Sequence, residues 1–473
     1  MTRLLGLDVG TTSLKVVAVS ADDGAVQGQS SHPYEMAIPH PGWTEQDPDD
    51  WCRAAERALA DIGGDPPAAI GLSGQMHGMV VLDGSMRPLR PALLWNDGRT
   101  GAECEEIERR IGRDRLVELT GNRATTGFTA PKLLWVRRHE PDVWGRIRHV
   151  MLPKDYVRFR LTGELGTDAS DASGTLLFDV ARRRWSDDVL DALEIPAAWL
   201  PPVRESVEPT GRVSGTVVAA GAGDQAAAAV GLGVVRPGPA SVVLGTSGVV
   251  FTALDAYRYD PEARLHTFCH ALPGGWHTMG VMLAAAGSLR WLRQVLGDVP
   301  YGVLDAEAER WAPGSGGLLF LPYLSGERTP HNDPGARAAL VGLGLEHDRG
   351  AIARAVMEGV AYGLRDSAEL IGQIGDAPVL GRLSGGGATS ALWRRITAAV
   401  LGMPLERTVT EEGSAYGAAL LGGVAAGVFR DLDQALAKCV RVADRVEPDP
   451  AWRGAYSDGY ARFRQAYPAI RPL

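Results

Sequence analysis

The sequence predicts an α/β protein built from two similar lobes. Its 473 residues exceed one domain of about 150 residues. In the first quarter, strand-like segments precede and follow an amphipathic helix, which is the order expected of a lobe built on a mixed sheet. The strand–turn–strand pattern at the start of the chain recurs near residue 242, which indicates a second lobe with the same plan.

Composition indicates a folded globular protein and argues against some classes of partner. Hydrophobic residues make up 45% of the chain and charged residues 22%, which is ordinary for a folded globular protein. The 48 basic residues are outnumbered by 57 acidic ones, which argues against nucleic acid or an anionic membrane as a partner. We find no run of about 18 apolar residues that would predict a transmembrane helix. Four scattered cysteines predict reduced thiols and a cytoplasmic location, and 59 glycines predict many tight turns and close backbone contacts.

The first half begins with a predicted hairpin, because two apolar segments flank the turn that Gly10 opens. Further along, Asp47 has the position of a helix N-cap and Pro48 that of the first helical residue, so a helix is expected from there. A loop over residues 73–78 separates the last two strands. The predicted strands span residues 3–9, 14–19, 25–31, 69–72 and 79–82.

The second half repeats this order of strands. Setting Gly10 on Gly245 places strand on strand at both sides of the turn, but it pairs Asp8 with Val243. Apolar residues spaced by three or four predict later helices over residues 352–371 and 392–400. We divide the lobes after residue 235, giving residues 1–235 and 236–473.

The first candidate site surrounds Asp8, at the end of a predicted strand. Backbone N–H groups and hydroxyls of the turn could cradle phosphate oxygens, while the carboxylate could hold a hydrated Mg²⁺. An equally good alternative is an ordinary hairpin in which Asp8 stabilises its own turn. The turn and its neighbour offer the side chains of Thr11, Thr12, Ser13 and Lys15.

The second candidate site is Asp224, which follows Gly221 and Gly223 and precedes a small-residue helix. The positive end of the helix dipole is expected to keep this carboxylate ionised. An ionised Asp facing a substrate hydroxyl is the base that phosphoryl transfer requires. Capping of its own helix is the alternative, and the local sequence favours it about two to one.

Two further motifs predict ligand contacts. Gly385, Gly386 and Gly387 lie between a predicted strand and a predicted helix. This context favours binding of a nucleotide directly against the glycine backbone. Polar and aromatic side chains in two short loops suit a small polyhydroxylated molecule. These side chains are Gln75, Met76 and His77 in one loop, and Trp95 and Asn96 in the other.

Together and in order, these motifs resemble those of the FGGY carbohydrate kinases, over essentially the whole chain to about residue 430. The matching segments are residues 7–15, 42–48, 73–78, 94–99, 127–132, 152–156, 168–174, 221–224, 244–248 and 320–331. The resemblance implies two ribonuclease-H-like lobes of the actin and hexokinase ATPase type, with mixed sheets flanking a central cleft.

The resemblance also implies roles for individual residues. Asp8 would assist Mg-ATP, and Asp224 would be the catalytic base. Gly245, Thr246 and Ser247 would touch the nucleotide phosphates, as would Thr11, Thr12, Ser13 and Lys15 in the first hairpin. Gly385, Gly386 and Gly387 would lie by the adenosine. The sugar would contact Gln75, Met76, His77, Trp95, Asn96, Asp224 and Gln225.

The Met76-His77 pair decides the expected substrate. Glycerol kinases carry Arg-Glu at this position, whereas the pair here implies a ketose, D-xylulose, phosphorylated by ATP at its 5-hydroxyl. Gluconokinase or ribulokinase activity is the alternative within the family, and a non-kinase actin-like ATPase is the alternative outside it. Homodimers occur among family members. Two features depart from many relatives: Gln225 stands where Asn is common, and the segment between Gly211 and Gly221 is short.

Overall fold

Two seven-stranded mixed sheets form the framework of the protein, one in each half of the chain. The computed structural model describes residues 2–410 and 413–471. The strands of the first half are β1 (Arg3–Val9), β2 (Ser13–Ser20), β3 (Val26–Pro33), β4 (Glu45–Gln46), β5 (Ala69–Gly74), β6 (Val80–Leu82), β7 (Ala92–Leu93), β8 (His149–Met151), β9 (Thr167–Asp168), β10 (Phe178–Asp179), β11 (Arg184–Trp185), β12 (Val203–Arg204), β13 (Pro209–Val213), β14 (Thr216–Ala219) and β15 (Ala222–Gly223). Those of the second half are β16 (Pro239–Leu244), β17 (Gly248–Leu254), β18 (His266–Cys269), β19 (Trp276–Met282), β20 (Leu319–Leu321), β21 (Ala339–Val341), β22 (Leu380–Ser384), β23 (Leu405–Thr408) and β24 (Val442–Val446).

Helices surround both sheets. They are α1 (Pro48–Ile62), α2 (Gly101–Ile111), α3 (Arg113–Thr120), α4 (Thr129–His139), α5 (Pro141–Arg146), α6 (Pro153–Thr162), α7 (Ala169–Ala172), α8 (Asp187–Leu193), α9 (Asp224–Gly231), α10 (Ala286–Val295), α11 (Tyr301–Glu309), α12 (Arg349–Ile374), α13 (Ala391–Leu401), α14 (Gly413–Ala425), α15 (Leu432–Cys439) and α16 (Arg453–Ile470). As predicted, α1 begins at Pro48, and the Asp47 side chain accepts a hydrogen bond from the Asp49 backbone N–H. Across the described ranges, no helix combines the length and apolar character needed to cross a bilayer.

The first sheet brings Asp8 beside the end of β5, from which the loop with Gln75, Met76 and His77 continues. Its strand order is β13-β14-β5-β1-β2-β3, and β15 also pairs with β5. Strands β1, β2 and β3 are antiparallel neighbours, whereas β5 runs parallel to β1. Asp8 lies opposite Lys15 in β2 and Ser73 in β5. The carboxyl ends of β1 and β5 therefore meet at one edge of the sheet.

The second sheet has the same plan, with the order β18-β19-β17-β16-β22-β23-β24. Strands β16, β17 and β19 are antiparallel neighbours, and β22 runs parallel to β16. The turn from Gly245 to Ser247 joins β16 to β17, as the turn after Val9 joins β1 to β2. This repeated order confirms the predicted α/β fold with two mixed sheets.

Helix α14 comes late in the chain but packs against the first sheet, where glycine lets the two backbones approach. A Cβ atom added to Gly71 of β5 would lie 1.7 Å from the Ala418 carbonyl oxygen. At the start of the helix, the Ser414 hydroxyl donates to Asp8. The C-terminal half therefore contributes directly to the sheet that carries Asp8.

Two features of the first half differ from the sequence-based expectation. Strand β5 continues to Gly74, because its end pairs with both β1 and β15, so Ser73 lies in the sheet and not in a loop. The strand expected at residues 79–82 is β6, which pairs with β8 outside the large sheet. The short segment before Asp224 forms the β13–β14 hairpin, which completes the edge of the first sheet.

Candidate active site

Two aspartates lie at the centre of the site, at the ends of neighbouring elements. Asp8 is next to last in β1, and Asp224 is the first residue of α9. The Asp8 carboxylate accepts hydrogen bonds from the hydroxyls of Ser73 at 2.9 Å and Ser414 at 2.7 Å. Neither hydroxyl belongs to the turn that follows Asp8. Hydroxyls of β5 and α14 therefore hold this carboxylate, and its role in binding Mg-ATP stays a prediction.

The carboxyl of Asp224 titrates near neutral pH. Its burial, and next the negative charge of Asp8, raise the pKa of Asp224 to about 7. We expected the N-terminus of α9 to keep this group ionised, but burial and repulsion outweigh the helix dipole. Asp224 is not the N-cap of α9, because Gly223 occupies that position and Asp224 the first turn. A carboxyl with this pKa is well suited to accept a proton from a hydroxyl.

The first hairpin is held in place by the elements around it. The backbone N–H of Gly10 donates to the Ser13 carbonyl at 3.2 Å and closes the turn. The Thr11 carbonyl accepts from the Gln46 side-chain amide at 2.7 Å, while Thr12 is exposed. Lys15 lies opposite Asp8, and its charge opposes the rise in the pKa of Asp8 that burial causes. The predicted phosphate-side residues therefore share one end of the sheet with the acid.

His77 has an unusual backbone conformation and a neutral ring. Its φ of 69° is in the left-handed region, which is rare for residues other than glycine. The ring Nδ1 lies 2.5 Å from the Gly174 carbonyl oxygen, so Nδ1 carries the proton and Nε2 is the acceptor nitrogen. Burial lowers the pKa of His77 to about 3. The buried Lys132 ammonium donates to the His77 carbonyl at 2.9 Å and fixes the backbone.

The two residues before His77 differ in where they point. Met76 is buried against the turn that precedes the base, because a Cβ atom added to Gly223 would lie 2.8 Å from the Met76 Cγ. Gln75 instead faces the first hairpin, and its amide donates to the Gly10 carbonyl and to Gln46, both at 3.3 Å. Gln75 thus supports the hairpin, a contact that the sequence did not reveal.

The second predicted loop presents an exposed aromatic ring. Trp95 is 44% exposed, and its indole N–H donates to the Thr11 hydroxyl at 2.9 Å. Asn96 is also exposed, and its side-chain oxygen accepts from the Thr44 hydroxyl at 2.7 Å. The structure therefore connects this loop to the first hairpin and leaves one ring available for stacking.

The motifs assigned to the nucleotide line a cavity of about 350 Å³ in the second half. Gly245, Thr246, Gly386 and Gly387 lie on its wall, whereas Ser247 and Gly385 do not. Its volume is within the range of small-ligand pockets, about 300–1,000 Å³. The backbones of the two motifs are in contact, because a Cβ atom on Gly385 would lie 2.6 Å from the Leu244 carbonyl carbon.

A second cavity, of about 260 Å³, is lined by residues of both halves of the chain. Gln225, next to Asp224, lines it together with Gly385 and Ser384 from the end of β22. On the other side, the His77 ring lies 6.0 Å from Phe268 of β18. Residues of both halves therefore meet at Gln225, the neighbour of Asp224, and at His77.

Several residues of the site were missed by the sequence analysis. Asp305 of α11 lines the larger cavity, and its buried Oδ1 has no hydrogen-bond partner among the described residues. Nothing in the local sequence of α11 indicates this position, since only folding brings that helix beside the glycines. Lys132 had a usable signal, as a single lysine within an apolar stretch. The other missed residues at the larger cavity are Ala286, Gly287, Leu289, Arg290, Tyr301, Thr389, Ser390 and Trp393.

The repeated sheets and the acid between two groups of ligand-facing residues define a two-lobed kinase of the actin and hexokinase ATPase type. Family models for the FGGY carbohydrate kinases match residues 3–231 (N-terminal domain) and 240–426 (C-terminal domain). The chain belongs to the FGGY family of carbohydrate kinases.

Individual relatives match over the full length. The xylulose kinase of Escherichia coli strain K12 is 42% identical, and the alignment covers 99% of each chain. The solved structure of a xyloylose kinase from Brucella ovis is 40% identical, covers all of both chains and gives a TM-score of 0.94. A gluconate kinase structure from Lactobacillus acidophilus is 26% identical, covers 99% of this chain and 98% of its own, and also gives 0.94.

Proposed function

We propose that this chain transfers the γ-phosphoryl group of ATP to the 5-hydroxyl of D-xylulose, giving D-xylulose 5-phosphate and ADP. The observation that carries the proposal is Asp224, a carboxyl with a pKa of about 7 between the Met76-His77 loop and the nucleotide-side glycines. The full-length likeness to a xylulose kinase at 42% identity supports the choice of sugar.

In the proposed reaction, Asp224 accepts the proton of the sugar's terminal hydroxyl as its oxygen attacks the γ-phosphorus in line. The neutral His77 ring offers Nε2 as an acceptor for another sugar hydroxyl, and Trp95 offers an apolar face. Met76, Asn96 and Gln225 complete the proposed sugar side. Most of the rate enhancement comes from positioning and from stabilisation of charge, as in other phosphoryl transfers.

ATP is proposed to occupy the 350 Å³ cavity, with its adenosine beside Gly386 and Gly387. The unpartnered Asp305 carboxylate oxygen is an acceptor for a ribose hydroxyl or an adenine amino group. Its phosphates would reach Gly245, Thr246 and Ser247 and the first hairpin, with Gly385 holding the two motifs together.

Mg²⁺ belongs to this proposal, with Asp8 as the protein ligand. Carboxylate oxygens suit this ion, which commonly uses one or two of them together with substrate phosphates and water. Among the residues that the structure describes, no group of three or more His, Cys, Asp or Glu side chains could hold a metal. When bound, Mg²⁺ would neutralise charge on the phosphates.

The proposal is tested by coupled ADP release over a panel of D-xylulose, D-ribulose, D-gluconate and glycerol. We expect the highest kcat/KM with D-xylulose and little ADP release without sugar. A higher kcat/KM with another sugar would make that sugar, and not D-xylulose, the assigned substrate. Gluconate is the most relevant alternative because of the likeness to a gluconate kinase. ADP release that no sugar stimulates would favour an actin-like ATPase.

The base makes activity depend on pH in one direction. Because Asp224 has a pKa of about 7 in the free protein, its reactive ionised form is lost as the pH falls through 7. We expect kcat/KM for the sugar, which reports groups of the free enzyme, to rise about tenfold per pH unit below that value and to level off above it. A pH profile that is flat between pH 5 and 8 would contradict this assignment.

The glycine at position 386 should be required for nucleotide binding and not for folding. A Cβ atom added there has no protein atom within 4 Å, and the residue lines the larger cavity. In Gly386→Val the side chain would occupy ligand space, so we expect KM for ATP to rise at least tenfold. The melting temperature and KM for the sugar should change little. An unchanged KM for ATP would contradict the placement of the adenosine beside Gly386.

Three coarser features complete the proposal. We place the lobe division after residue 235, between the two sets of strands. We also propose a cytoplasmic location, which the four free thiols and the use of ATP support. A homodimer is proposed from the family resemblance alone, and light scattering against the 50.3 kDa mass of one chain tests it.

A further inference from the structure

One short segment touches both parts of the proposed acceptor site. Helix α7 and the residues beside it, from Asp168 to Gly174, lie behind the turn that precedes Asp224. The Ser170 hydroxyl accepts a hydrogen bond from the Gly223 backbone N–H at 3.1 Å. At the other end of the segment, the carbonyl of Gly174 accepts a hydrogen bond from the His77 ring. The segment therefore contacts the neighbour of the base at one end and the sugar-side histidine at the other.

A fully buried cluster of charges supports this segment. The Lys154 ammonium lies 2.7 Å from Asp155, 2.8 Å from Asp168 and 3.2 Å from Asp171. Arg158 also pairs with Asp155, at 3.0 Å. Three carboxylates thus face two cations, and burial raises the pKa of Asp171 well above its usual range. Buried ions are costly to desolvate and contribute little net stability, so the value of this cluster lies in fixed geometry.

The hydroxyl of Ser170 connects the cluster to the turn. It donates its one proton to Asp168 Oδ2 at 2.5 Å, so its oxygen can act only as an acceptor toward the Gly223 N–H. The negative charge of Asp168 strengthens this acceptor. Gly223 is the N-cap residue of α9, and Asp224 follows it directly. The orientation of the Gly223 peptide therefore sets the backbone position of Asp224 from which its carboxylate extends.

We propose that Ser170 is a positioning residue for Asp224, held in place by the buried cluster around Lys154 and Asp168. The hydroxyl keeps the turn before α9 in the orientation from which the carboxylate reaches the sugar. The role of Asp224 as the base rests on the proposed function, whereas the constraint on the turn does not.

A matched pair of serines tests the proposal. The Ser206 hydroxyl donates to the same Asp168 oxygen, at 2.9 Å. Ser206 contacts the turn before Asp224 through its backbone carbonyl, which accepts from the Gly221 N–H at 3.1 Å and is retained in Ser206→Ala. Ser170→Ala should lower kcat by about 10²-fold, the cost of a misplaced reacting group, with KM for ATP nearly unchanged. Ser206→Ala removes an equivalent bond to Asp168 and should retain kcat within about threefold.

A second readout does not depend on activity. Hydrogen–deuterium exchange of peptides that contain residues 222–226 should become faster in Ser170→Ala and stay at the wild-type rate in Ser206→Ala. Equal losses of kcat in both variants, or wild-type exchange in Ser170→Ala, would overturn the positioning role. If the wild type phosphorylates no sugar while the exchange rates differ as expected, the proposed function fails and the constraint on the turn stands.

Discussion

Replacing Asp224 with Asn should lower kcat by about 10²–10⁴-fold, the usual contribution of a general base. Asn has the same shape but accepts no proton from the attacking hydroxyl. The amide can still occupy the first turn of α9, so the fold and the nucleotide cavity should be retained. We therefore expect nearly normal ATP affinity, measured by calorimetry, together with a loss of sugar-dependent ADP release.

As the pH rises toward 7, the stability of the wild-type protein should fall while its activity rises. Since burial and Asp8 raise the pKa of Asp224, the folded protein holds this proton more tightly than the unfolded chain does. Ionisation of Asp224 therefore costs stability as the pH rises from about 4 to 7. At pH 8, Asp224→Asn removes that cost and should melt at the same or a higher temperature.

Asp114 provides the matched control for this variant. It also lies in the first turn of a helix, α3, but is exposed to solvent. Asp114→Asn should keep wild-type kcat. Wild-type turnover by Asp224→Asn, or an equal loss in the two variants, would remove Asp224 from the role of base.

Gly71→Ala should produce the largest structural effect of a single methyl group. The new Cβ atom would lie 1.7 Å from the Ala418 carbonyl oxygen and 2.6 Å from its carbon, both in the backbone of α14. A helix backbone cannot rotate away as a flexible side chain can, so α14 must shift. Overpacking of this kind costs about 1–3 kcal/mol and occasionally more. We expect a clear fall in the melting temperature, measured by calorimetry.

Activity should also fall in Gly71→Ala, because α14 begins with the serine that bonds Asp8. The control is Gly28→Ala in β3 of the same sheet, where the added Cβ atom has no neighbour within 4 Å. That variant should change stability by about 0.5 kcal/mol or less. Equal melting temperatures for the two variants would show that α14 does not pack closely on β5.

Much of the fold could be predicted from local patterns. Apolar segments on both sides of the turns at Gly10 and Gly245 predicted both hairpins, and Asp47 with Pro48 predicted the start of α1. These signals depend on residues a few positions apart, and the sequence displays them directly. The family was also recognisable from the order of its motifs, and the family models confirm it.

Site residues that depend on distant neighbours could not be predicted in the same way. Asp305 lines the larger cavity only because α11 packs beside two glycine motifs from other parts of the chain. The amide nitrogen of Gln75 donates to Gly10 and Gln46, a contact that depends on two distant segments, while its assignment to the sugar stays a prediction. Lys132 places its amine in the buried part of α4, and only the structure reveals that it holds the His77 carbonyl.

The sequence by itself determined the class of fold, the repeat of two mixed sheets and the two aspartates around which the site is built. Tertiary structure decided the hydrogen-bond partners of Asp8 and the pKa of Asp224. Asp8 bonds Ser414, 406 residues later, because glycines let α14 lie against the first sheet. The same packing buries Asp224 near a second negative charge and brings its pKa to about 7. Burial and repulsion arise only when distant segments come together, and for this reason the sequence could single out Asp224 as the candidate base but could not predict its pKa.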